Sequence, residues 1–152
     1  MAIQAVAPPS PVASSAATFR DSHVGKHIDS DGQYGAQCFD VFQKYNREVV
    51  GGPFIHGGGA HEIYDSYATN GAAANYDRVP ANVGPPQPGD VAVWSGNKPY
   101  SGGFGHVAVV TSVSGGSFQV VEQNGNHPEG VAYTGNVNAT DPYLLGYLRP
   151  KH

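Results

Sequence analysis

The sequence predicts an α+β protein in which helices come first and an antiparallel β-sheet follows. Apolar residues at helical spacing lie in the first half of the chain, whereas short runs rich in β-branched residues, separated by Gly and Asn, fill the second half. Only 13% of the residues are charged, and the chain holds 21 glycines and 12 prolines, a mix that favours a loop-rich protein containing β-structure over a helical bundle. The 152 residues suit one domain with an ordinary core.

The chain begins with a stretch rich in Ala, Pro and Ser at residues 1–17, which we expect to be a flexible tail or linker. It has no positively charged start and prolines interrupt its apolar part, so it fits a secretory signal peptide poorly. A linker in this place suggests that another segment preceded it, or that the chain was excised from a longer protein. Residues 18–152 then form the single expected domain.

Two helices and four strands are predicted within that domain. The first helix covers residues 36–45, where three aromatic residues follow helical spacing, and a Gly-Gly-Pro run at residues 51–53 ends this region. A second helix is predicted at about residues 60–68, where His and Tyr residues recur at near-helical spacing. The predicted strands are residues 90–95, 106–113, 118–123 and 144–148.

Charge and hydropathy exclude several classes of protein. The net charge is −4 with His neutral and no cluster of Lys and Arg occurs, so we expect no nucleic-acid partner. The longest apolar runs are only a few residues, too short for a membrane span. A single cysteine excludes an internal disulfide framework. We expect a monomer.

Three residues together indicate hydrolysis of an amide bond by a thiol. Cys38 lies at the start of the predicted first helix, where the helix N-terminus favours a thiolate. His106 opens a predicted strand and can act first as base and then as acid. Glu122 lies on the next predicted strand, so antiparallel pairing can bring it to the imidazole that it would orient, although Asn124 is an alternative for that role. A lone cysteine is more often a buried structural residue, but the downstream His and Glu favour catalysis here.

Further residues are candidates for binding the substrate and the developing oxyanion. The backbone N–H of Cys38, with a contribution from Gln37, is the best candidate for stabilising the oxyanion. The rings of Tyr34 and Trp94 are candidates for lining a substrate groove. Gln37 is equally well explained as a surface helix residue, and Trp94 as a core residue.

The segment before the cysteine has the spacing of a calcium loop. Counting Asp29 as position 1, Asp31, Gln33, Gly35 and Asp40 occupy positions 3, 5, 7 and 12, which are ligand positions of an EF-hand, with Asp in place of Glu at the last. The loop departs from the EF-hand because its glycine stands at position 4 rather than 6. Three carboxylates this close together repel one another without a cation, which favours Ca²⁺ binding over a solvated turn.

Four motifs, in this order, resemble the CHAP family, the cysteine- and histidine-dependent amidohydrolases/peptidases of phage endolysins and bacterial wall hydrolases. They are Asp29-x-Asp31-Gly32-x-x-Gly35-x-Gln37-Cys38-x-Asp40, Gly89-Asp90-Val91-Ala92-Val93-Trp94, Gly105-His106-Val107-Ala108 and Glu122-Gln123-Asn124. The resemblance runs from about residue 24 to residue 149. It implies a papain-like fold, with N-terminal helices packed on an antiparallel sheet.

The resemblance also implies a function and a set of ligands. The substrate would be bacterial peptidoglycan, cleaved by an endopeptidase or an N-acetylmuramoyl-L-alanine amidase that is made in the host cytoplasm and lyses the cell at its wall. Glu122 would take the family's third catalytic position and Asn124 the polar position that follows it. As in calcium-binding members, carboxylates would come from Asp29, Asp31 and Asp40, and backbone carbonyls from Gln33 and Gly35.

Two other classes of protein remain as alternatives. A non-catalytic, calcium-dependent wall-binding module would use Cys38 as a structural residue, and would bind walls without lowering their turbidity. A cysteine peptidase that acts on proteins would cleave casein-like substrates and leave muropeptides intact. The four ordered motifs favour the wall hydrolase over both.

Overall fold

A computed structural model describes residues 11–30, 37–99, 101–123 and 131–151 of the chain. The helices are α1 (Pro11–His23), α2 (Cys38–Tyr45), which continues into a π-helical turn at Asn46–Val50, and α3 (Glu62–Asp65). The strands are β1 (Tyr76–Pro80), β2 (Val91–Trp94), β3 (His106–Ser114), β4 (Ser117–Glu122), β5 (Tyr133–Asn138) and β6 (Leu144–Pro150). Helices therefore precede strands, and the predicted α+β class is confirmed.

The six strands form one sheet in the order β1-β6-β2-β3-β4-β5. Every neighbouring pair is antiparallel. Strand β6, the last strand in the described chain, lies between β1 and β2. The hairpin of β3 and β4 is central to the site because it carries His106 at its first residue and Glu122 at its last.

Alternation along the central strands divides the buried residues between the two faces of the sheet. Val107, Val109 and Val121 belong to the cluster that packs against Val41 and Phe42 of helix α2. The intervening residues of the same strands, such as Ala108 and Val120, join a second cluster on the opposite face. Because both faces are covered, the strands are apolar runs with little polar alternation, as the sequence indicates.

Helix α1 differs from the expectation for the N-terminal stretch. Composition assigns residues 1–17 to a tail, but residues 11–17 lie in α1, and residues 1–10 lie outside the described ranges. Proline is favoured at the first helical position, and the following Ala and Ser residues are compatible with a helix. Ala16 is fully buried, and Phe19 packs edge-on against Tyr45 of α2 with ring centroids 5.4 Å apart. Burial of this face explains why the helix forms.

Three further elements also differ from the expectations. Helix α3 spans only Glu62–Asp65, where the spacing predicts residues 60–68. Strands β1 and β5 are absent from the predicted set, and they form the two edges of the sheet. Their residues are mostly exposed or half-buried, so they lack the apolar runs by which the inner strands are recognised.

Candidate active site

Cys38 is the first residue of α2 and is half-buried. The preceding residue, Gln37, has an extended backbone with φ −126° and ψ 165°, so the chain enters the helix at the cysteine. The N–H of a first helical residue has no acceptor within the helix. The helix dipole favours negative charge at this end. The local structure therefore favours negative charge, such as that of an oxyanion, beside this end of the helix.

Asp40 closes the segment that leads to the cysteine. Its residue is 1% exposed, and its two carboxylate oxygens accept the N–H groups of Ser30 at 2.9 Å and Gln37 at 2.8 Å. The hydroxyl of Ser30 in turn donates to the backbone carbonyl of Asp40 at 2.9 Å. These bonds hold the two ends of the predicted calcium loop together beside the first turn of α2.

His106 and Glu122 form a buried pair at one end of the β3–β4 hairpin. The register places Val109 opposite Val121, which brings the last residue of β4 close to the first residues of β3. The imidazole Nε2 and the carboxylate Oε1 are 2.6 Å apart, and the two side chains are only 5% and 8% exposed. A carboxylate only accepts hydrogen bonds, so Nε2 carries the proton of this bond.

The thiol of Cys38 lies beside the imidazole of His106, close enough to act on its pKa. Because Glu122 occupies Nε2, the nitrogen that remains for the thiol is Nδ1. Burial lowers the pKa of His106, but its interactions with Cys38 and Glu122 outweigh burial and raise the pKa to about 9. His106 is therefore an imidazolium at neutral pH, held between the thiol and a carboxylate.

Gly135, which the sequence motifs do not single out, provides space for the carboxylate of Glu122. It lies on β5 opposite Val120. A Cβ built on Gly135 would lie 3.1 Å from Cδ of Glu122 and closer still to Oε2. The site therefore requires a glycine on the neighbouring strand, and only the strand register reveals this.

Gly105 and Trp94 support His106 from its other side. Gly105 has φ +76°, and a Cβ there would clash with the backbone oxygen of Trp94 and meet Cβ of His61 at 3.0 Å, so only glycine fits before the histidine. The Trp94 ring lies 5.3 Å from the imidazole, centroid to centroid, and its Nε1 donates to Asp141 at 3.2 Å. Trp94 is 2% exposed, which favours a core role over the predicted role in a substrate groove.

The predicted oxyanion residue Gln37 contributes its backbone to this site. The residue is half-buried, and its carbonyl accepts hydrogen bonds from the N–H of Asp40 at 3.1 Å and from Nε2 of Gln123 at 2.9 Å. Gln123 is fully buried, and sequence reasoning gave it no role beyond its place in a motif.

Six predicted site residues remain, and four of them are expected calcium ligands. Asp29 is described and half-buried. Five others lie outside the described ranges: Asp31, Gln33, Tyr34, Gly35 and Asn124. Within the ranges that the structure describes, no group of three or more His, Cys, Asp or Glu residues is placed to hold a metal ion.

The motif around Asp90 has a structural role. The carboxylate of Asp90 is buried and receives a two-pronged hydrogen bond from Arg149 at 3.1 and 2.9 Å, together with the N–H of Gln87 at 2.8 Å. The hydroxyl of Tyr45 donates to the carbonyl of Gly89 at 2.7 Å. The motif thus joins the start of β2 to β6 and to the end of helix α2.

Comparisons with known proteins agree with this geometry. The family model described as the CHAP domain matches residues 27–124. Endolysin PlyTW of Staphylococcus phage Twort is 35% identical over 116 residues, which are 73% of this chain and 24% of that protein. The D-alanyl-L-alanine endopeptidase of Streptococcus phage B30 is 34% identical over 100 residues, 62% of this chain and 20% of that protein.

Solved structures share the fold at lower identity. The crystal structure of the wild-type endolysin LysIME-EF1 has a TM-score of 0.69 at 24% identity and covers 92% of this chain and 64% of that chain. An N-acetylmuramoyl-L-alanine amidase from Staphylococcus aureus has a TM-score of 0.58 at 19% identity, covering 83% of this chain and 37% of that chain.

The chain spans about a quarter or less of the length of the two curated relatives. Among the residues that the structure describes, no helix is both long and apolar enough to cross a membrane. The family match extends over more than half of the chain, and it includes the thiol, the imidazole and the carboxylate that the fold brings together. This protein therefore belongs to the CHAP domain family.

Proposed function

We propose that this chain is the catalytic domain of a peptidoglycan hydrolase, which cleaves an amide bond of the cell-wall peptide through the thiol of Cys38. The observation that carries the proposal is the buried imidazole of His106, which lies beside Cys38 and is hydrogen-bonded to Glu122. The names of the relatives, an endolysin and a D-alanyl-L-alanine endopeptidase, support the substrate class.

In the first step, the thiolate of Cys38 attacks the carbonyl carbon of the scissile amide, and the carbonyl oxygen becomes an oxyanion. The N–H of Cys38 at the start of α2, which has no acceptor within the helix, would stabilise this charge. The imidazolium of His106 then donates its Nδ1 proton to the leaving amine. The carbon–nitrogen bond breaks and a thioester remains on Cys38.

In the second step, neutral His106 takes a proton from water while the water oxygen attacks the thioester carbon. A second oxyanion forms and collapses, and the carbon–sulfur bond breaks. This restores the thiolate of Cys38 and the imidazolium of His106. The carboxylic acid product then loses its remaining proton to water and leaves as a carboxylate. Nε2 of His106 keeps its proton in both steps and donates it to Glu122 at 2.6 Å, and this bond fixes the orientation of the ring.

The test of this proposal compares the wild type with Cys38→Ala on purified bacterial walls, because the half-buried thiol can be truncated with little loss of packing. We expect lysis to disappear while the melting temperature stays within a few degrees. Lysis by the variant would refute a thiol mechanism. A large loss of stability would instead favour the structural role of Cys38 that a wall-binding module requires.

The proposal leaves two candidates for the amide bond that is cleaved. The relatives include a protein named as an endopeptidase and one named as an N-acetylmuramoyl-L-alanine amidase, and both activities break an amide by the same steps. Mass spectrometry of the fragments distinguishes them, since an amidase frees the stem peptide from the sugar and an endopeptidase cuts within the peptide. Cleavage of casein but not of muropeptides would identify a protein-directed peptidase instead.

We also propose that the loop before Cys38 binds Ca²⁺, with Asp29, Asp31 and Asp40 as carboxylate ligands and Gln33 and Gly35 as carbonyl ligands. The donor set consists of oxygens, which calcium prefers. Asp40 supports the fit because its hydrogen bonds to the N–H groups of Ser30 and Gln37 hold the first and last parts of the loop together. When bound, the ion would neutralise the carboxylates and stabilise the entry to α2.

The proposal that this chain is a catalytic domain also includes its site of action and its oligomeric state. The three proposed catalytic residues, Cys38, His106 and Glu122, come from one chain, so a monomer is sufficient for activity. The domain would be made in the host cytoplasm and act on the wall. Size-exclusion chromatography with light scattering tests the monomer, since a dimer that dissociates into inactive protomers would contradict it.

A further inference from the structure

Gln123 makes three hydrogen bonds from a fully buried position. Its Oε1 accepts the N–H of Ile28 at 3.1 Å, and its Nε2 donates to the carbonyl of Ile28 at 2.8 Å and to the carbonyl of Gln37 at 2.9 Å. Gln123 follows Glu122 directly in the sequence. One residue thus connects the end of the β3–β4 hairpin with the chain on both sides of the loop that leads to Cys38.

The third of these bonds acts on the peptide group between Gln37 and Cys38. The described chain contains no cis peptide bond, so the carbonyl of Gln37 and the N–H of Cys38 lie in one plane and point in opposite directions. The carbonyl is held by Nε2 of Gln123 and by the N–H of Asp40 at 3.1 Å. Fixing the carbonyl toward the buried amide therefore aims the N–H of Cys38 away from it.

We propose that Gln123 is a positioning residue, which orients the N–H of Cys38 toward the oxyanion that forms during amide cleavage. The inference rests on the proposed thiol mechanism. The oxyanion exists only in and near the transition state, so a donor that is wrongly aimed weakens kcat and leaves binding of the intact substrate largely unchanged. Loss of a whole oxyanion donor costs about 10²–10³-fold in kcat.

The main test is Gln123→Met, which keeps the length of the side chain and removes all three hydrogen bonds. With soluble peptidoglycan fragments as substrate, we expect kcat to fall about 10–100-fold, because the donor is misaimed rather than lost, with KM changed less than about 3-fold. Alkylation of Cys38 by iodoacetamide forms no oxyanion, so its rate should stay within about 2-fold of the wild-type rate.

Gln43 offers a matched control within the same protein. It is buried, and its amide makes two hydrogen bonds to the backbone of one isoleucine, as the amide of Gln123 does to Ile28. Its Nε2 donates to the carbonyl of Ile55 at 2.6 Å, and its Oε1 accepts the N–H of Ile55 at 3.3 Å. None of these bonds involves the peptide group before Cys38. Gln43→Met should therefore lower the melting temperature by a comparable amount while kcat stays near that of the wild type.

Gln123→Glu gives a second, independent readout. An ionised carboxylate keeps the acceptor for the N–H of Ile28 but has no donor for the carbonyl of Gln37, whereas a protonated carboxyl group can donate again. Activity relative to the wild type at the same pH should therefore rise as the pH is lowered. This rescue would not follow from a loss of packing. It therefore tests the positioning role of Gln123 even if Gln123→Met fails to fold.

Three outcomes would overturn the inference. The first two are a wild-type kcat in Gln123→Met and an equal loss of kcat in Gln43→Met. The third is a fall in the alkylation rate of Gln123→Met as large as the fall in its kcat, which would mean that the thiol itself had moved. A flat activity ratio for Gln123→Glu across the pH range would also overturn it. Failure of the proposed function is distinct, because then the wild type would not cleave the fragments or Cys38→Ala would retain activity.

Discussion

Replacing Gly135 by Ala would place a methyl group where the carboxylate of Glu122 lies. The new Cβ would be 3.1 Å from Cδ of Glu122 and nearer still to Oε2, whereas ordinary contacts begin at 3.4 Å. In a close-packed strand pair the carboxylate must retreat by at least about 1 Å. A retreat of that size lengthens the bond to Nε2 of His106, now 2.6 Å, beyond the range of a hydrogen bond.

The consequence for His106 has a definite sign. The bond and charge of Glu122 help to raise its pKa to about 9, so withdrawing the carboxylate lowers the pKa toward the ordinary value of 6.5. A misplacement of about 1 Å can cost about 10²-fold in rate. We therefore expect kcat/KM at pH 7.5 to fall by about 10–100-fold, and the alkaline limit of activity to move to lower pH.

The measurement is the pH profile of lysis, or of cleavage of soluble fragments, alongside thermal unfolding. Glu122 can swing away from the methyl group, so the fold should survive with its melting temperature within a few degrees. Gly116→Ala, at the β3–β4 turn, is the matched control, because a Cβ there has no atom within 4 Å and its φ is not in the left-handed region. Unchanged activity and an unchanged alkaline limit in Gly135→Ala would refute the reasoning, as would an equal effect in Gly116→Ala.

Further predictions concern the proposed catalytic residues and the ion. Wild-type activity should fall as the pH rises through about 9, where His106 loses its proton, and Glu122→Gln should move this fall to lower pH; identical profiles would contradict the role of the carboxylate. His106→Ala should be as inactive on purified walls as Cys38→Ala, whereas Glu122→Gln should keep measurable activity, so equal losses at Glu122 and His106 would mean that the roles are wrongly ranked. Because the folded-state pKa of His106 exceeds its unfolded value of 6.5, the stabilisation from this group is complete below about pH 6.5 and is lost as the pH rises through about 9. Urea unfolding at several pH values measures the free energy of unfolding, and this pH-dependent part of it should be absent in His106→Ala. EDTA should lower the melting temperature and the lytic rate, and Ca²⁺ at a hundredfold excess over its dissociation constant should restore about 2.7 kcal/mol, better than Mg²⁺. Asp29→Ala combined with Asp31→Ala should remove the response to calcium, and a wild type that melts and lyses identically with EDTA and with Ca²⁺ would refute the metal proposal.

The parts of the fold that sequence reasoning reached are those with a strong local signal. The inner strands are apolar on both faces, so β2, β3, β4 and β6 appear as short apolar runs. The proximity of Cys38, His106 and Glu122 could be predicted because each lies at or near the end of a predicted element, where a helix start or a strand end meets its neighbours.

The edge strands escaped prediction for a physical reason. Strand β5 alternates half-buried and exposed residues, and β1 contains Asp77, Arg78 and Pro80. Edge strands commonly carry charges and proline, because these residues discourage pairing with another chain, and such residues weaken the local β signal. Only the pairing of β1 with β6 and of β5 with β4 makes them strands.

Gly135 and Gln123 could not be assigned roles for a related reason. Gly135 matters because the register sets it beside Glu122, and that register depends on tertiary pairing. Gln123 matters because its amide reaches Ile28, 95 residues earlier in the chain. A local pattern contains no information about partners at that separation, whereas nucleophiles and bases are recognised by their own chemistry.

The place of β6 in the sheet has a consequence for synthesis. Residues 144–150 leave the ribosome after the other five strands, yet they fill the space between β1 and β2. Until then the apolar strand β2 has an open edge, and open edges favour pairing between chains. Nascent chains that stall before residue 144 should therefore aggregate or depend on chaperones. To test this, stalled chains of 143 residues, which lack β6, and of 151 residues, which contain it, would be released and their solubility compared.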